Sequence, residues 1–389
     1  MSELNDRKPF SLILIKLYYK LSYSKKITNL FISCNIFTIF VYLLSCLVPF
    51  LNAGKFWFIA IWGLLFPLLF FVVMIFFIGA LISRSKWSLL SLAALLISWQ
   101  QIAVVFGFRT KQPFNVTKAA GNLRILSWNV SSWDESNKER HGGTSYRQVM
   151  FDEVKKTGAD ILCFQEFLES KDSTFFDYNI PELERMGYPY HYYAPTYSED
   201  KNSEMGIVIF SKYPITDAGI FDFGNRRDVQ QLIYADIQFN NKKIRVFTIH
   251  LQSVRFGPQE YQTLEEIKHN KRKGYEESRT IVSKLKRGYQ FRSSQADIVN
   301  DYVRKSPYPV ILCGDFNDVP NSYTYFKIRG DLQDAFLRKG SGIGRTFRFI
   351  SPTLRIDYIF ADEKFNIKQY DRITVPYSDH YGIMADIGI

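Results

Sequence analysis

Three long apolar stretches dominate the hydropathy pattern of the first 108 residues. They cover residues 27–51, which carry no charge, residues 56–82, interrupted only by Pro67, and residues 87–108. A helix that crosses a membrane needs about 20 largely apolar residues, and each stretch reaches that length. A cleaved signal peptide has an apolar core of only about 7–15 residues. The pattern therefore predicts three transmembrane helices, with a buried helical core as the alternative.

The segments that flank these stretches are polar and mostly basic. Residues 1–26 form a basic, partly amphipathic leader, and residues 109–121 resemble a short linker. The net charge of the chain is +11, but residues 1–118 carry +10 of it and the rest of the chain carries +1. Most of the positive charge therefore belongs to the membrane part. The net charge of residues 119–389 is close to zero, which is weak evidence against a processive DNA-binding function.

The basic residues are distributed unequally between the two ends of the predicted spans. Eight lie before the first span or between the second and third, and four lie on the opposite side. This asymmetry predicts a cytoplasmic N-terminus. Three spans then place everything after about residue 110 on the far side, which in a bacterium is the periplasmic face of the inner membrane. The third stretch is the least apolar, and its loss as a span would reverse this orientation.

After residue 122 the chain changes to short strand-like and helix-like segments. Runs that are short and apolar, or that alternate between apolar and polar residues, predict strands. Over residues 147–156 the apolar residues recur with the spacing of a helix face, and Gly158 follows, so a helix is predicted there. The predicted strands cover residues 123–129, 161–164, 205–210, 232–239, 244–249, 310–313, 355–361 and 382–387.

The charged segment of residues 257–307 is rich in Lys, Arg and Glu and contains few glycines, so it is predicted to be helical. One interpretation is a solvated helix or helix pair beside the functional site. The other is a basic arm that contacts the phosphates of a polyanion or lipid headgroups. Few aromatic residues are interleaved with its charges, so the segment lacks a base-stacking signature.

Five short polar motifs are spread over the second part of the chain, most of them directly after a predicted strand. Strand ends deliver side chains to one edge of a sheet, where a polar site can be built on a rigid core. The carboxylates, amides and histidines of these motifs suit hydrolysis of a phosphate ester, which needs an attacking water and stabilisation of phosphoryl charge. The motifs are Ser-Trp-Asn-Val (127–130), Phe-Gln-Glu (164–166), Ile-His-Leu (249–251), Gly-Asp-Phe-Asn-Asp (314–318) and Ser-Asp-His (378–380).

In this order, the motifs resemble those of the endonuclease/exonuclease/phosphatase superfamily, which includes DNase I-like nucleases, inositol-polyphosphate phosphatases and neutral sphingomyelinases. The resemblance covers residues 122–389, and Gly-Asp-Phe-Asn followed by a terminal Ser-Asp-His is its most specific part. It implies an α+β fold, a four-layer β-sandwich of two mixed sheets flanked by helices, with the site at one end. Abasic-site endonucleases of the superfamily carry an Asp where this chain has Ser131, which disfavours that subgroup.

The resemblance also implies a metal site. Glu166 matches the superfamily's ligand of Mg²⁺, a hard cation that prefers oxygen donors. Asn129 is implied to contact the metal or the phosphate, and Asp379 to contribute to the metal site. Mn²⁺ is the alternative ion.

The remaining matched residues are implied to act on water and phosphate. Asp315 corresponds to the residue that positions or deprotonates the attacking water, and Asn317 to one that contacts phosphate. His250 and His380 are implied to contact phosphate or transfer protons, since histidine changes charge near neutral pH. The supporting carboxylates are Asp357, from Arg-Ile-Asp-Tyr (355–358), which would orient His380, and Glu204, which would orient His250.

The sequence therefore predicts a membrane-anchored, Mg²⁺-dependent phosphoesterase that uses direct attack by water. Its predicted partners are a phosphate-ester substrate and the lipid bilayer, and no protein partner is evident. Alternatives are a nuclease of extracytoplasmic DNA or RNA, a sphingomyelinase-like phospholipid phosphodiesterase, and a membrane-anchored binding protein with an inactive hydrolase fold.

Overall fold

A computed structural model of the chain describes residues 10–110, 112–197, 202–221, 223, 231–268 and 275–389. Part of the leader and residues 269–274 of the charged segment lie outside the described residues. The chain divides into two compact units. The first contains Met1–Cys46 and Leu65–Trp99, and the second contains Leu47–Leu64 and Gln100–Ile389.

Long helices form the N-terminal part, because a helix satisfies its backbone hydrogen bonds internally in an apolar surrounding. Helix α1 (Phe10–Cys46) continues from the leader into the first apolar stretch without a break. Helix α2 (Trp57–Ile82) contains the second stretch, and α3 (Ser88–Ile97) and α4 (Trp99–Val105) share the third.

Two segments, Lys25–Phe50 and Trp57–Ile82, are long and apolar enough to cross a membrane. The third predicted span is not one straight helix, because α3 and α4 meet at a bend of 64° and reach the required length only together. The hydroxyl of Ser98, at this bend, donates to the carbonyl of Leu95 at 3.1 Å. Such local serine bonds compete with helix hydrogen bonding and bend helices. The described chain thus has two candidate spans, or three if the bent pair counts as one.

Polar side chains join α1 to α3 inside the first unit. The amide of Asn35 donates to the Ser91 hydroxyl at 3.1 Å, and both residues are buried. Near the end of α1, the hydroxyls of Tyr42 and Ser98 lie 2.5 Å apart. Each such interhelical bond contributes on average about 0.6 kcal/mol in a membrane. These pairs fix the register between two otherwise apolar helices.

The second unit contains β-strands with helices of 5 to 30 residues between them. Its helices after α4 are α5 (Arg147–Thr157), α6 (Ile180–Arg185), α7 (Pro258–Lys268), α8 (Tyr275–Arg304), α9 (Tyr323–Arg329) and α10 (Ala335–Lys339). Its strands are β1 (Gly107–Phe108), β2 (Asn122–Asn129), β3 (Ile161–Ser170), β4 (Tyr190–Tyr197), β5 (Ser203–Ser211), β6 (Ile215–Phe221), β7 (Gln231–Phe239), β8 (Lys242–His250), β9 (Val310–Asp315), β10 (Gln333–Asp334), β11 (Ser341–Gly342), β12 (Asp357–Ala361), β13 (Asn366–Ile373) and β14 (Gly382–Gly388).

Two six-stranded mixed sheets contain these strands except β1 and β11, which pair with each other. Sheet A has the order β10-β12-β9-β8-β7-β6, and sheet B has the order β13-β14-β2-β3-β5-β4. The pairs β8–β9 and β2–β3 are parallel, and the neighbouring pairs in each sheet are antiparallel. The carboxyl ends of β2, β8 and β9 thus carry motif residues, whereas Phe-Gln-Glu (164–166) lies in the middle of β3.

The main core lies between the two sheets. It joins Ile125 of sheet B to Val246 and Ile311 of sheet A, all fully buried. Burying one such side chain stabilises the fold by about 1.5–3 kcal/mol. The inward-facing positions of both sheets therefore hold them face to face.

Helices cover the outer faces of both sheets. On sheet B, Val154 of α5 packs in one buried cluster with Phe164. On sheet A, Tyr302 of α8 stacks on Phe221 with ring centroids 3.7 Å apart. The result is a helix–sheet–sheet–helix sandwich, so the predicted α+β fold is confirmed. The described parts of the charged segment form α7 and α8, as predicted, and α8 packs against the sandwich.

Candidate active site

The register of sheet A aligns three functional side chains in one row. His250 at the end of β8 pairs with Asp315 at the end of β9, and Asp315 pairs with Asp357 at the start of β12. All three are at most 4% exposed. Residues paired on adjacent strands lie about 5 Å apart. Two strand pairings therefore bring His250 and Asp357 close together, although they are 107 positions apart in the sequence.

Sheet B contributes a second row from β2 and β3. Asn129 ends β2 and pairs with Gln165, and Glu166 follows directly. The amide of Asn129 donates to the Glu166 carboxylate at 3.1 Å and to the Asp315 carboxylate of sheet A at 3.2 Å. The amide of Asn129 therefore connects the two rows, and the residues predicted for metal and water meet in one place.

A β-bulge directs Glu166 into this site. The pairing of β3 with β5 shifts register between Phe164 and Phe167, and Glu166 adopts a φ of +48°. A non-glycine residue in this left-handed region costs on the order of 1–3 kcal/mol and persists only where the surroundings impose it. Bulges re-aim side chains next to active sites, and here the bulge turns a carboxylate out of a buried strand.

The loop after β9 holds Asn317 against Asp315. The backbone N–H of Asn317 donates to Asp315 at 2.8 Å, and its side-chain amide donates to the Leu251 carbonyl at 3.0 Å. Asn317 has a φ of +52°, so the two residues meet through a turn, not along an extended strand. Gly314 is required before them, because a Cβ there would lie 2.1 Å from the Ile249 carbonyl oxygen.

His380 is fixed by Asp357 and by its own backbone. Its ring nitrogen Nδ1 donates to the Asp357 carboxylate at 2.9 Å, and the Phe347 ring packs edge-on against the imidazole at 5.0 Å. The indole of Trp128 donates to the His380 carbonyl at 3.0 Å. Nε2 of His380 is left facing Asp315 at 3.7 Å.

Asp379 and His250 complete the cluster, whereas Glu204 forms an ion pair with a residue outside it. The Ser378 hydroxyl ties the Asp379 segment to β2 by donating to the Asn129 carbonyl at 2.7 Å. His250 lies 3.6 Å from Glu166 and 3.8 Å from Asp315. Glu204 instead pairs with Lys171 at 2.5 Å, and within the described residues it forms no ion pair with His250.

Burial disfavours the charged forms of two carboxyl groups of the site, Asp315 and Glu166. Burial raises the pKa of Asp315 to about 6. Loss of solvation also raises the pKa of Glu166, although 32% of its side chain is accessible, and the charge of Asp379 adds to this shift. Burial lowers the pKa of His380, but Asp357, Asp315 and Asp379 outweigh burial and raise it well above its usual value.

This electrostatic arrangement fits a bound cation. Carboxylates that repel one another in a buried site are stabilised by a positive charge between them. Oxygen donors from Glu166, Asp379 and Asn129 are the type that Mg²⁺ or Mn²⁺ accepts. Separately, ligand atoms of Asp315, Asp357 and His380 lie within 4.8 Å of one another, which also meets the distance requirement for a metal.

The sequence matches a family model that agrees with this geometry. A model described as the endonuclease/exonuclease/phosphatase family covers residues 126–380, more than half of the chain. The chain belongs to the endonuclease/exonuclease/phosphatase family. Residues 28–105, in the apolar part, match a separate domain of unknown function (DUF8431). No curated protein sequence matches the chain.

Solved structures with a similar fold include several members of this family. Humanized zebrafish (D. rerio) TDP2 is 16% identical, with a TM-score of 0.48, over 69% of this chain and 100% of that one. The human Nocturnin catalytic domain is 17% identical over 70% and 96%, with a TM-score of 0.46. The Bacteroides thetaiotaomicron mannosyl-6-phosphatase is 17% identical over 69% and 100%, with a TM-score of 0.43.

Two features of this endonuclease/exonuclease/phosphatase site were not predicted from its sequence. The Gln165 amide, fully buried, donates to the Thr248 hydroxyl at 2.9 Å and so links β3 of sheet B to β8 of sheet A. Gln165 is part of the Phe-Gln-Glu motif, and a polar residue inside an apolar strand was the available signal.

The second unpredicted feature is a buried ion pair behind the Gly-Asp-Phe-Asn-Asp loop. Arg292 of α8 is 2% exposed, and its Nε lies 3.2 Å from the Asp318 carboxylate. Arg292 also donates to the Gln252 carbonyl at 2.9 Å. Nothing in the charged segment separates this arginine from its exposed neighbours, so its role depends on the tertiary fold.

Proposed function

We propose that this protein is a membrane-anchored, Mg²⁺-dependent phosphoesterase that cleaves phosphate esters by direct attack of water. The observation that carries this proposal is the convergence on Asp315. Its carboxylate accepts from Asn129 at 3.2 Å and lies 3.7 Å from the free nitrogen of His380. Family membership supports the hydrolase class, and the arrangement of these side chains supports the individual roles.

The proposed metal ligands are Glu166, Asn129 and Asp379. We prefer this set to the group that contains His380, because the imidazole is already engaged with Asp357 and Mg²⁺ favours oxygen ligands. When bound, the divalent cation would offset the charge of the phosphoryl oxygens. Mn²⁺ has similar ligand preferences and is the proposed substitute.

Asp315 is the proposed base. It would accept a proton from water as the water oxygen bonds to phosphorus and the bond from phosphorus to the leaving oxygen breaks. The backbone N–H and the side-chain amide of Asn317 both donate to Asp315, so the carboxylate is held in one orientation. No covalent enzyme intermediate is required, since water itself is the nucleophile.

The proposed phosphate-binding groups are His380, His250 and Asn317. Asp357 fixes the proton on Nδ1 of His380, which directs Nε2 toward the substrate position beside Asp315. Among the residues that the structure describes, the buried Nε2 of His250 has no hydrogen-bond partner, so it is available for a phosphoryl oxygen. Fixed donors aimed at developing charge stabilise the transition state without reorganisation.

We also propose that the N-terminus is cytoplasmic and that the catalytic domain lies on the periplasmic side of the bacterial inner membrane. The excess of basic residues before the first span and between the second and third supports this orientation. It requires the bent pair α3–α4 to cross the membrane together.

A direct test uses the purified full-length protein with bis-p-nitrophenyl phosphate and p-nitrophenyl phosphate. Nitrophenol release should require Mg²⁺ or Mn²⁺ and stop with EDTA. The Asp315→Asn variant should lose at least 100-fold in kcat, as expected for a general base. The exposed Asp331→Asn variant is the matched control and should retain activity. Full activity of Asp315→Asn would reject the site, and an inert wild type would favour the inactive binding protein.

A further inference from the structure

A cavity of about 240 Å³ adjoins the catalytic groups of the second unit. Asp315, Asn317 and His380 contribute to its lining. Most of its other lining residues are apolar, which is unusual beside a group of carboxylates. Ligand sites with this combination bind a molecule by its apolar part and orient it by a few polar groups.

The apolar wall comes from segments far apart in the sequence. Leu285 and Ile281 line it from α8, Leu64 from α2, and Phe256 from the loop after β8. The bases and phosphates of a nucleic acid would require cationic and stacking contacts along such a groove. Of the basic residues in the lining, Arg292 is already paired with Asp318, which leaves Arg255 as the exposed cation.

One residue of the wall is held in a costly conformation. Ile350 has a φ of +66°, which is a genuine outlier for a β-branched residue. Its side chain packs against the cluster of Val319, Phe347 and Ile356 and lines the cavity. Strained residues of this kind cluster at ligand-binding sites. The strain supports a ligand-related role for this wall.

The helix that supplies Leu64 is itself a candidate membrane span. Leu64 lies two turns into α2, whose residues Trp57–Ile82 are apolar enough to cross a bilayer. At the start of this helix, Lys286 of α8 lies over the Trp57 ring at 5.2 Å. Trp and Lys together are typical of the boundary between headgroups and hydrocarbon. The cavity wall thus includes a helix that begins at this boundary.

We propose that the cavity binds the apolar part of a membrane lipid whose phosphate ester is cleaved at Asp315 and His380. The proposal rests on the proposed phosphoesterase function and specifies its substrate class. The lipid would come from the bilayer that α2 spans. Arg255, at the same cavity, would face the phosphate as a cation. Exposed basic residues on α8, including Lys286 and Arg287, would face the headgroups.

The test uses the full-length protein in phosphatidylcholine nanodiscs with two substrates that share one leaving group. Methyl p-nitrophenyl phosphate has no apolar chain, whereas octyl p-nitrophenyl phosphate has one. Each buried CH₂ favours binding by up to about fourfold, so kcat/KM for the octyl ester should exceed that for the methyl ester at least tenfold. The measured quantity is this octyl-to-methyl ratio in the presence of Mg²⁺.

Variants of the cavity wall distinguish binding of the octyl chain in the cavity from partitioning of the octyl ester into the bilayer. Leu285→Gln and Ile350→Asn place polar groups in the wall, and Asn tolerates the positive φ. Both should lower the octyl-to-methyl ratio of kcat/KM at least fivefold. Val282→Gln, at an exposed position of the same helix, should leave the ratio unchanged.

The outcomes distinguish the two proposals. A ratio near one in the wild type, or the same high ratio in all variants, would overturn the lipid proposal alone. Absence of hydrolysis of both esters would overturn the phosphoesterase function. As a readout that is independent of turnover, a diazirine-bearing alkyl phosphate in the nanodisc should label the wall residues in wild type. It should label them less in Leu285→Gln, and equal labelling would contradict the proposal.

Discussion

Nδ1 of His380 lies 2.9 Å from the carboxylate of Asp357, which is 23 positions earlier in the sequence. Asp357 begins β12 of sheet A, and His380 lies just before β14 of sheet B. The hydrogen bond fixes the tautomer of the imidazole and the direction of its other nitrogen. Asp357 is held in turn by the Thr346 hydroxyl, which accepts from its backbone N–H at 3.1 Å. Asp357 therefore acts through His380 and not directly on the substrate.

The first prediction concerns this positioning role. Asp357→Asn preserves the shape of the side chain but removes the charge that orients and stabilises the imidazolium. We expect kcat for bis-p-nitrophenyl phosphate to fall on the order of 100-fold, with a smaller effect on KM. The melting temperature should change little, which separates this effect from unfolding. Equal losses in the exposed control Asp331→Asn would contradict the assignment.

The second prediction concerns the metal. Glu166→Gln keeps a side-chain oxygen but removes the charge that the bulge of β3 directs into the site. The affinity for Mn²⁺, measured by electron paramagnetic resonance, should fall about 10- to 100-fold, as it does when other side chains that support a metal site are removed. Glu363→Gln, at an exposed position, is the matched control. Unchanged Mn²⁺ affinity in Glu166→Gln would remove this residue from the ligand set.

The strands that the sequence predicts correctly are those with a continuous apolar run. Strands β2 and β9 lie inside their sheets and are buried almost throughout, and β8 is buried from Val246 to His250, so their apolar pattern is unambiguous. Strands β4, β6 and β13 were not predicted, and all three lie at sheet edges. Edge strands are less buried and more polar, as in β6, where much of the surface is accessible. Their formation depends on the neighbouring strand.

The site was predicted as a set of residues but not in its geometry. Motif order identified Asn129 and Glu166, because both follow apolar runs. The bulge at Glu166 could not be predicted, since it depends on the register with β5. The pairing of Glu204 with Lys171 is likewise a property of the folded sheet. Orientation of His250 by Glu204 therefore stays a prediction.

The third prediction tests the link between the two sheets. Gln165→Leu removes the amide that donates to the Thr248 hydroxyl in a fully buried position. An unsatisfied buried polar group costs about 1–3 kcal/mol, so the melting temperature should fall by several degrees. Gln238→Leu, on a partly exposed position of β7, should change it much less. Thermal unfolding of the full chain in detergent measures both.

The fourth prediction concerns topology. With a cytoplasmic N-terminus and three spans, alkaline phosphatase fused after Ile389 should be active in a Gram-negative host, and a green fluorescent protein fused there should be dark. Fusions after Lys86, between the second and third spans, should give the opposite result. Identical results at both positions would mean that the bent pair α3–α4 does not cross the membrane.

The fifth prediction concerns the buried pair of Arg292 and Asp318. Arg292→Met leaves the Asp318 carboxylate buried without its partner, which costs about 3–5 kcal/mol. Neutralising that charge as well, in Arg292→Met/Asp318→Asn, should recover part of the lost unfolding free energy, because the largest penalty is the unpaired anion. Arg287→Met, at an exposed position on the same helix, is the matched control. If the double variant is no more stable than Arg292→Met, the arginine acts through packing and not through charge compensation.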